Sequence, residues 1–99
     1  MIISAIIPAY NESKRIVDAI NDARKYVDYV VVVDDCSTDN TGDVSKSAGV
    51  TVLRHVINRG QGASLQTGTD YAIEKLQADV IVHFDADGQM KGAEIPSMV

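Results

Sequence analysis

Cysteine is nearly absent from this chain: Cys36 is the only one, so no disulfide can close within it, and no Cys/His spacing suggests a zinc site. Cys36 reads as a small, semi-buried residue, and the lack of a disulfide framework suits a reducing, cytoplasmic setting. Positive charge is scarce as well. Nine Lys and Arg stand against fourteen Asp and Glu, a net charge of -5. That balance argues against a nucleic-acid partner, whose phosphates attract a basic face. No apolar run approaches the roughly 20 residues of a membrane-spanning helix. The opening "MIISAIIPAY" has no cationic leader, meets Pro8 quickly and reads as a strand. Low-complexity tracts, internal repeats and dividing linkers are also missing, so the 99 residues are expected to form one folding unit with a modest core.

What is present is a rhythm. Four apolar runs recur: "IISAII" (2 to 7), "YVVVV" (29 to 33), "VTVL" (50 to 53) and "DVIVHF" (79 to 84). They are β-branched and nearly continuous, as expected of parallel strands covered on both faces. Between the first two, Ile16, Ile20, Ala23 and Val27 share one helical face, while Lys14, Asp18, Asp22 and Lys25 face water. A shorter helix is expected from Thr38 or Asp39 to Gly49. A third is expected over 63 to 77, with Leu65, Ala72, Ile73 and Leu76 inward and with Gly62 and Gly68 allowing close packing near its start. The alternating order predicts an α/β doubly wound, mostly parallel sheet. The final "KGAEIPSMV" reads as the start of a further helix, which suggests the first half of a larger domain.

In such sheets ligands sit beyond the carboxyl ends of the strands, and every unusual polar cluster falls there. "PAYNE" (8 to 12), "DDCSTDNT" (34 to 41), "RHVINRGQGAS" (54 to 64) and "DADGQ" (85 to 89) follow the four runs in turn. Asp85 and Asp87 have a local reading as turn residues. Their company favours another, because Asp34 and Asp35 end a strand at the same edge, and like charges crowd at a cost unless a cation or donors compensate. Oxygen ligands of this kind suit Mg2+ or Mn2+, which accept one or two carboxylates, waters and substrate phosphates, and Gln89 is placed to add its amide oxygen.

The other polar residues carry local readings. Tyr10 reads as a semi-buried aromatic, Asn11 and Glu12 as residues serving the first helix start, and Thr38, Asp39 and Thr41 as caps. Asp34 is expected to be structural, since adjacent strand residues face opposite ways. His55 and His83 stand out in no way, and His83 reads as a satisfied core histidine. "GQGASL" lacks the third glycine of a dinucleotide fingerprint and follows the wrong strand, which excludes a Rossmann dehydrogenase. Gly60 and Gly62 still permit a close backbone approach, with Arg59 and Arg54 as the nearby positive charges.

The ordered set "IIPAYNE", "VVVVDDCSTDNT", "NRGQGASLQTG" and "HFDADGQ" resembles the inverting glycosyltransferase family 2 with the GT-A fold, in its dolichyl-phosphate mannose or glucose synthase-like branch. The resemblance implies that residues 1 to 99 are the Rossmann-like, nucleotide-sugar-binding N-terminal part of a GT-A domain, with strand order 3-2-1-4. It implies that Pro8, Ala9, Tyr10 and Glu12 line the donor pocket, that Asp35 accepts a hydrogen bond from the base, and that Arg59, Gly62, Asp85 and Ala86 also lie on the donor side. Asp85 and Asp87 then match the DXD motif, Asp87 as metal ligand and catalytic residue, with Gln89 in the metal shell. Many relatives carry lysine where this chain has Gln61.

The implied donor is a UDP- or GDP-sugar and the implied acceptor a polyprenyl (dolichyl) phosphate. The implied place of work is the cytoplasmic face of a membrane, and an exposed strand edge suggests a homodimer. The competing readings are a haloacid dehalogenase-like phosphohydrolase, a receiver-like domain and a non-catalytic nucleotide-sugar-binding module. The first would need its DxD after the first strand. The second would need a later phosphoacceptor and lysine.

Overall fold

The computed structural model describes residues 1–87 and 91–98. Four strands, β1 (Ile3–Ala9), β2 (Tyr29–Asp34), β3 (Thr51–Arg54) and β4 (Val80–His83), alternate with the helices α1 (Ile16–Ala23), α2 (Thr41–Ser47) and α3 (Gln61–Lys75). A short 3-10 turn, Gly92–Glu94, leads into α4 (Ile95–Met98). The sheet is parallel at every pairing, in the order β3-β2-β1-β4, as expected. The winding therefore reverses between β1 and β4, which opens a crevice above their carboxyl ends.

Strand alternation distributes the apolar runs to two cores. β1 and β2 send Ala5, Ile7, Ala9, Val30 and Val32 to one face, where Ile16, Ala19, Ile20 and Ala23 of α1 meet them with Phe84 and Ile95. They send Ile6, Val31 and Val33 to the other face, against Ala72 and the partly buried Leu65, Tyr71 and Leu76. Each large aliphatic side chain buried here contributes about 1.5–3 kcal/mol.

Helix α3 corrects two expectations. Its fully buried line is Ser64, Gly68 and Ala72, small residues at helical spacing, which lets the helix lie close on the sheet. A Cβ on Gly68 would collide with Ile6 Cγ2 and come within 3.1 Å of Val33 Cγ2, whereas one on Gly62 would meet open space. Gly68 is thus the packing glycine, and Gly62 is not. Ile73, expected inward, is 54% exposed because it follows Ala72 and is turned about 100° away from it. Helix α2 also begins later than expected, at Thr41, because Thr38 and Asp39 are engaged with the loop after β1.

Candidate functional site

The loops leaving β1 and β2 are laced together. Asn11 takes the left-handed backbone region (φ 53°), which a short amide side chain tolerates, and its Oδ1 accepts from the Thr38 N–H at 2.8 Å and the Thr38 hydroxyl at 3.2 Å. In return, the Asn11 N–H donates to Ser37 Oγ and the Glu12 N–H to Thr41 Oγ1, each at 3.0 Å. Asp39 accepts from the Thr41 N–H and hydroxyl and from the Ser13 N–H. Burial pushes the Asp39 carboxyl upward, but these hydrogen bonds outweigh it and hold its pKa below the usual value. Asn11 therefore serves the neighbouring loop and does not cap α1, whose N-terminus has no side-chain cap.

Asp35 organises the next loop. Its Oδ1 accepts from His55 Nδ1 and from the Arg59 N–H, and its Oδ2 from the Gly60 N–H, all at 2.8 Å. A carboxylate can only accept, so His55 Nδ1 carries the proton. The second ring nitrogen, Nε2, lies 2.8 Å from Thr67 Oγ1, which pins the 7%-exposed imidazole to α3. Burial raises the Asp35 pKa, but the Arg59 and Gly60 amides, the His55 hydrogen bond and the imidazole charge together bring it below the usual value. Gly60 closes this loop at φ 92°, where a side chain is strained, and becomes the N-cap of α3. His55 is thus far from ordinary, contrary to the sequence reading. His83 is exposed and not a core residue, with Thr69 Oγ1 at 3.5 Å.

Asp34, one residue earlier, points the other way. It is fully buried, accepts the Ser37 N–H at 3.0 Å and pairs with Arg54 at 2.6 Å. Arg54 also donates to the Ser37 carbonyl at 3.2 Å, so it braces this loop.

Above the carboxyl ends lies a hollow of about 200 Å³ lined by Pro8, Ala9, Tyr10, Glu12, Asp35, Gln61, Ser64, Asp85, Ala86 and Asp87. Eight of the sequence-selected residues (Pro8, Ala9, Tyr10, Glu12, Asp35, Asp85, Ala86 and Asp87) meet in its wall. Tyr10 is 48% exposed, so its ring is not a sheet-end core residue. Asp85 is half-buried and Asp87 exposed. Glu12 pairs with Arg15 at 3.1 Å.

Two selected residues do not reach the hollow. The Arg59 side chain is exposed and only its backbone amide works, on Asp35; Gly62 is exposed outside the wall. Gln89 lies outside the described residues. Gln61 and Ser64 enter the wall unforeseen, because α3 begins at its rim. Helix geometry leaves the first amides of α3 without intrahelical partners there, a weakly positive end suited to an anion.

Residues 4–99 match the family model described as Glycosyl transferase family 2. The chain is 34% identical to the UDP-N-acetylglucosamine--dolichyl-phosphate N-acetylglucosaminyltransferase of Methanococcus voltae, over 99% of this chain and 46% of that protein. It is 33% identical to the undecaprenyl-phosphate mannosyltransferase of Micrococcus luteus, over 100% of this chain and 43% of that one. Among solved structures, glucosyl-3-phosphoglycerate synthase from Mycobacterium tuberculosis, in complex with Mn2+, UDP and glucosyl-3-phosphoglycerate, superposes with a TM-score of 0.77 at 25% identity, covering 96% of this chain and 37% of that one. The chain thus spans less than half the length of each of these relatives.

Proposed function

The chain belongs to glycosyl transferase family 2, and on that premise we propose that its hollow holds the nucleotide-sugar donor of a glycosyl transfer, and that Asp85 and Asp87 would hold a Mg2+ or Mn2+ to offset the charge of the donor's diphosphate. One observation carries the reading: the carboxylates of Glu12, Asp35, Asp85 and Asp87 share a single hollow whose lining, among the described residues, includes no basic side chain. A diphosphate does not settle among carboxylates without a cation between them. The residues fit such an ion. Asp85 and Asp87 supply hard oxygens in the wall of the hollow, and Mg2+ or Mn2+ needs only one or two carboxylates beside water and substrate phosphate. When bound, the ion would offset the charge of the departing nucleoside diphosphate.

The chain's own residues divide the remaining work. Pro8, Ala9 and Tyr10 form the wall for the nucleoside, Asp35 accepts a hydrogen bond from the base, and the first turn of α3 faces the phosphates with unpaired amides. Asp85 and Asp87 hold the ion, with Gln89 assigned to the same shell by the family resemblance. The acceptor proposed for the longer reaction is a polyprenyl phosphate, supported by the names of the two relatives. A phosphate oxyanion attacks without a general base, which suits transfer with inversion. The reaction is placed at the cytoplasmic face of a membrane, although no helix among the described residues is long and apolar enough to cross one. The open edges of β3 and β4 are where a second copy would pair.

Calorimetric titration with UDP-glucose, with and without Mn2+, tests the donor reading. Asp87→Ala is expected to weaken metal-dependent binding about tenfold or more, a larger effect than its change in unfolding free energy, since Asp87 lines the hollow. Binding that ignores the metal, or an Asp87 variant that loses stability and affinity in step, would overturn it.

A further inference from the structure

We infer that the loop between β3 and α3 is a docking tip for an anionic lipid surface, which Val56 and Ile57 enter. Val56 is 89% exposed and its neighbour Ile57 65%, the one adjacent pair of open large apolar side chains among the described residues. The loop imposes this exposure. His55, just before the pair, is buried between Asp35 and Thr67, and the Arg59 and Gly60 amides just after it are held by the Asp35 carboxylate at 2.8 Å. Cys36 Sγ donates to the Val56 carbonyl at 3.5 Å. With both feet of the arch tied inward, the side chains at its crown are turned to water. Two aliphatic side chains held there forfeit the free energy of burial until an apolar medium covers them.

Charge decides what covers the pair. Arg54 and Arg59 bracket it, both exposed, and no acidic residue occurs between Asp43 and Asp70 in a chain of net charge -5. The carboxylates that touch this segment, Asp34 and Asp35, are buried and already paired with Arg54 and His55. Carboxylates elsewhere act over a screening length of about 8 Å, short against a molecule of 35 × 26 × 22 Å. An apolar tip beside exposed cations suits a bilayer with anionic headgroups, the Arg59 guanidinium meeting phosphate while the aliphatic pair enters the acyl boundary. A second copy of the chain suits it less, because two side chains fall far below the roughly 800 Å² per partner of a stable interface. The tip stands at the carboxyl end of the sheet, the edge that carries the hollow. The choice of a lipid occupant also rests on the polyprenyl-phosphate acceptor proposed above, which would be met on the docked side.

The test is flotation of the 99-residue chain with vesicles of phosphatidylcholine, alone or mixed with phosphatidylglycerol. The chain is expected to float with the mixed vesicles and severalfold less with the neutral ones, and high salt should remove the difference. Val56→Ser/Ile57→Ser is expected to lower the partition coefficient about tenfold or more and Arg59→Gln severalfold. Ile73→Ser, at an aliphatic residue of α3 that is itself 54% exposed, should leave it unchanged. The double variant should keep the parent's affinity for UDP-glucose in Mn2+. A chain that does not float, or a double variant that floats as the parent does, would overturn the docking tip, and intact nucleotide binding would then leave the donor reading standing. Flotation without nucleotide binding would bring down the donor reading alone. A concentration-dependent dimer in lipid-free sedimentation, abolished by the double variant, would assign the pair to a second copy and overturn the lipid surface.

Discussion

Asp34 and Asp35 leave the same strand end, and each meets a basic residue at the end of β3: Arg54 for the first, His55 for the second. Their fates diverge because the pleat sends them to opposite sides. Asp34 is sealed under α2, so close to Gly42 that a Cβ there would stand 2.7 Å from its Oδ2, and its charge is spent joining β2, β3 and the α2 loop. Asp35 lies in the wall of the hollow, with the chain filling all but one of its acceptor positions. An acidic doublet at a strand end therefore holds two places at once, one bracing the scaffold and one lining the hollow.

Substitutions at the two pairs can break that contrast. The largest effect is expected from Asp35→Ala, which orphans His55 and two backbone amides: about 3 kcal/mol of stability and all measurable nucleotide binding should be lost. Asp34→Ala should cost about 2 kcal/mol in urea unfolding yet leave calorimetric affinity within about twofold. If a folded Asp34 variant fails to bind, the two carboxylates are not separable. Crossed effects, equal or smaller in size, are expected at the basic partners. Arg54→Ala leaves a fully buried carboxylate with one amide donor, for about 2 kcal/mol of stability and unchanged affinity. His55→Ala leaves Asp35 two amides, for about 1 kcal/mol, but should weaken binding severalfold.

Acid gives the smallest effect. Asp35 and Asp39 both have folded pKa values below the usual one. Their contribution is therefore complete above the unfolded value of about 3.9 and is lost as pH falls below it through the folded values. Melting temperature should fall as pH drops below about 4, and Asp39→Asn should flatten that decline; an unchanged slope would mean that Asp39 does not contribute.

The parallel sheet and the clustering of polar segments at one edge were readable from residue types, because continuous β-branched runs have few other places to go, whereas the strand order came with the family resemblance. Asp34 as a structural residue followed from strand parity alone. What escaped depended on register between strands. His55 looked ordinary until β3 aligned with β2, Arg54 opposite Asp34, so that "DD" met "RH" side by side. That pairing of an acidic and a basic doublet at successive strand ends was a usable signal. Gly62 and Gly68 looked alike in the sequence, and only the approach of Ile6 distinguishes them. Asn11 read as a helix residue because its left-handed backbone and its bonds to the loop after β2 leave no trace in local spacing.

The loop from β3 to α3 is folded around a carboxylate of the sheet, with Gly60 as its corner. On the proposed donor reading, retargeting the pocket to another nucleotide would gain little from rewriting Asp35, since the change would dismantle the wall along with the contact. Tyr10 and Gln61 offer safer handles, because both line the hollow and neither is an anchor of that loop.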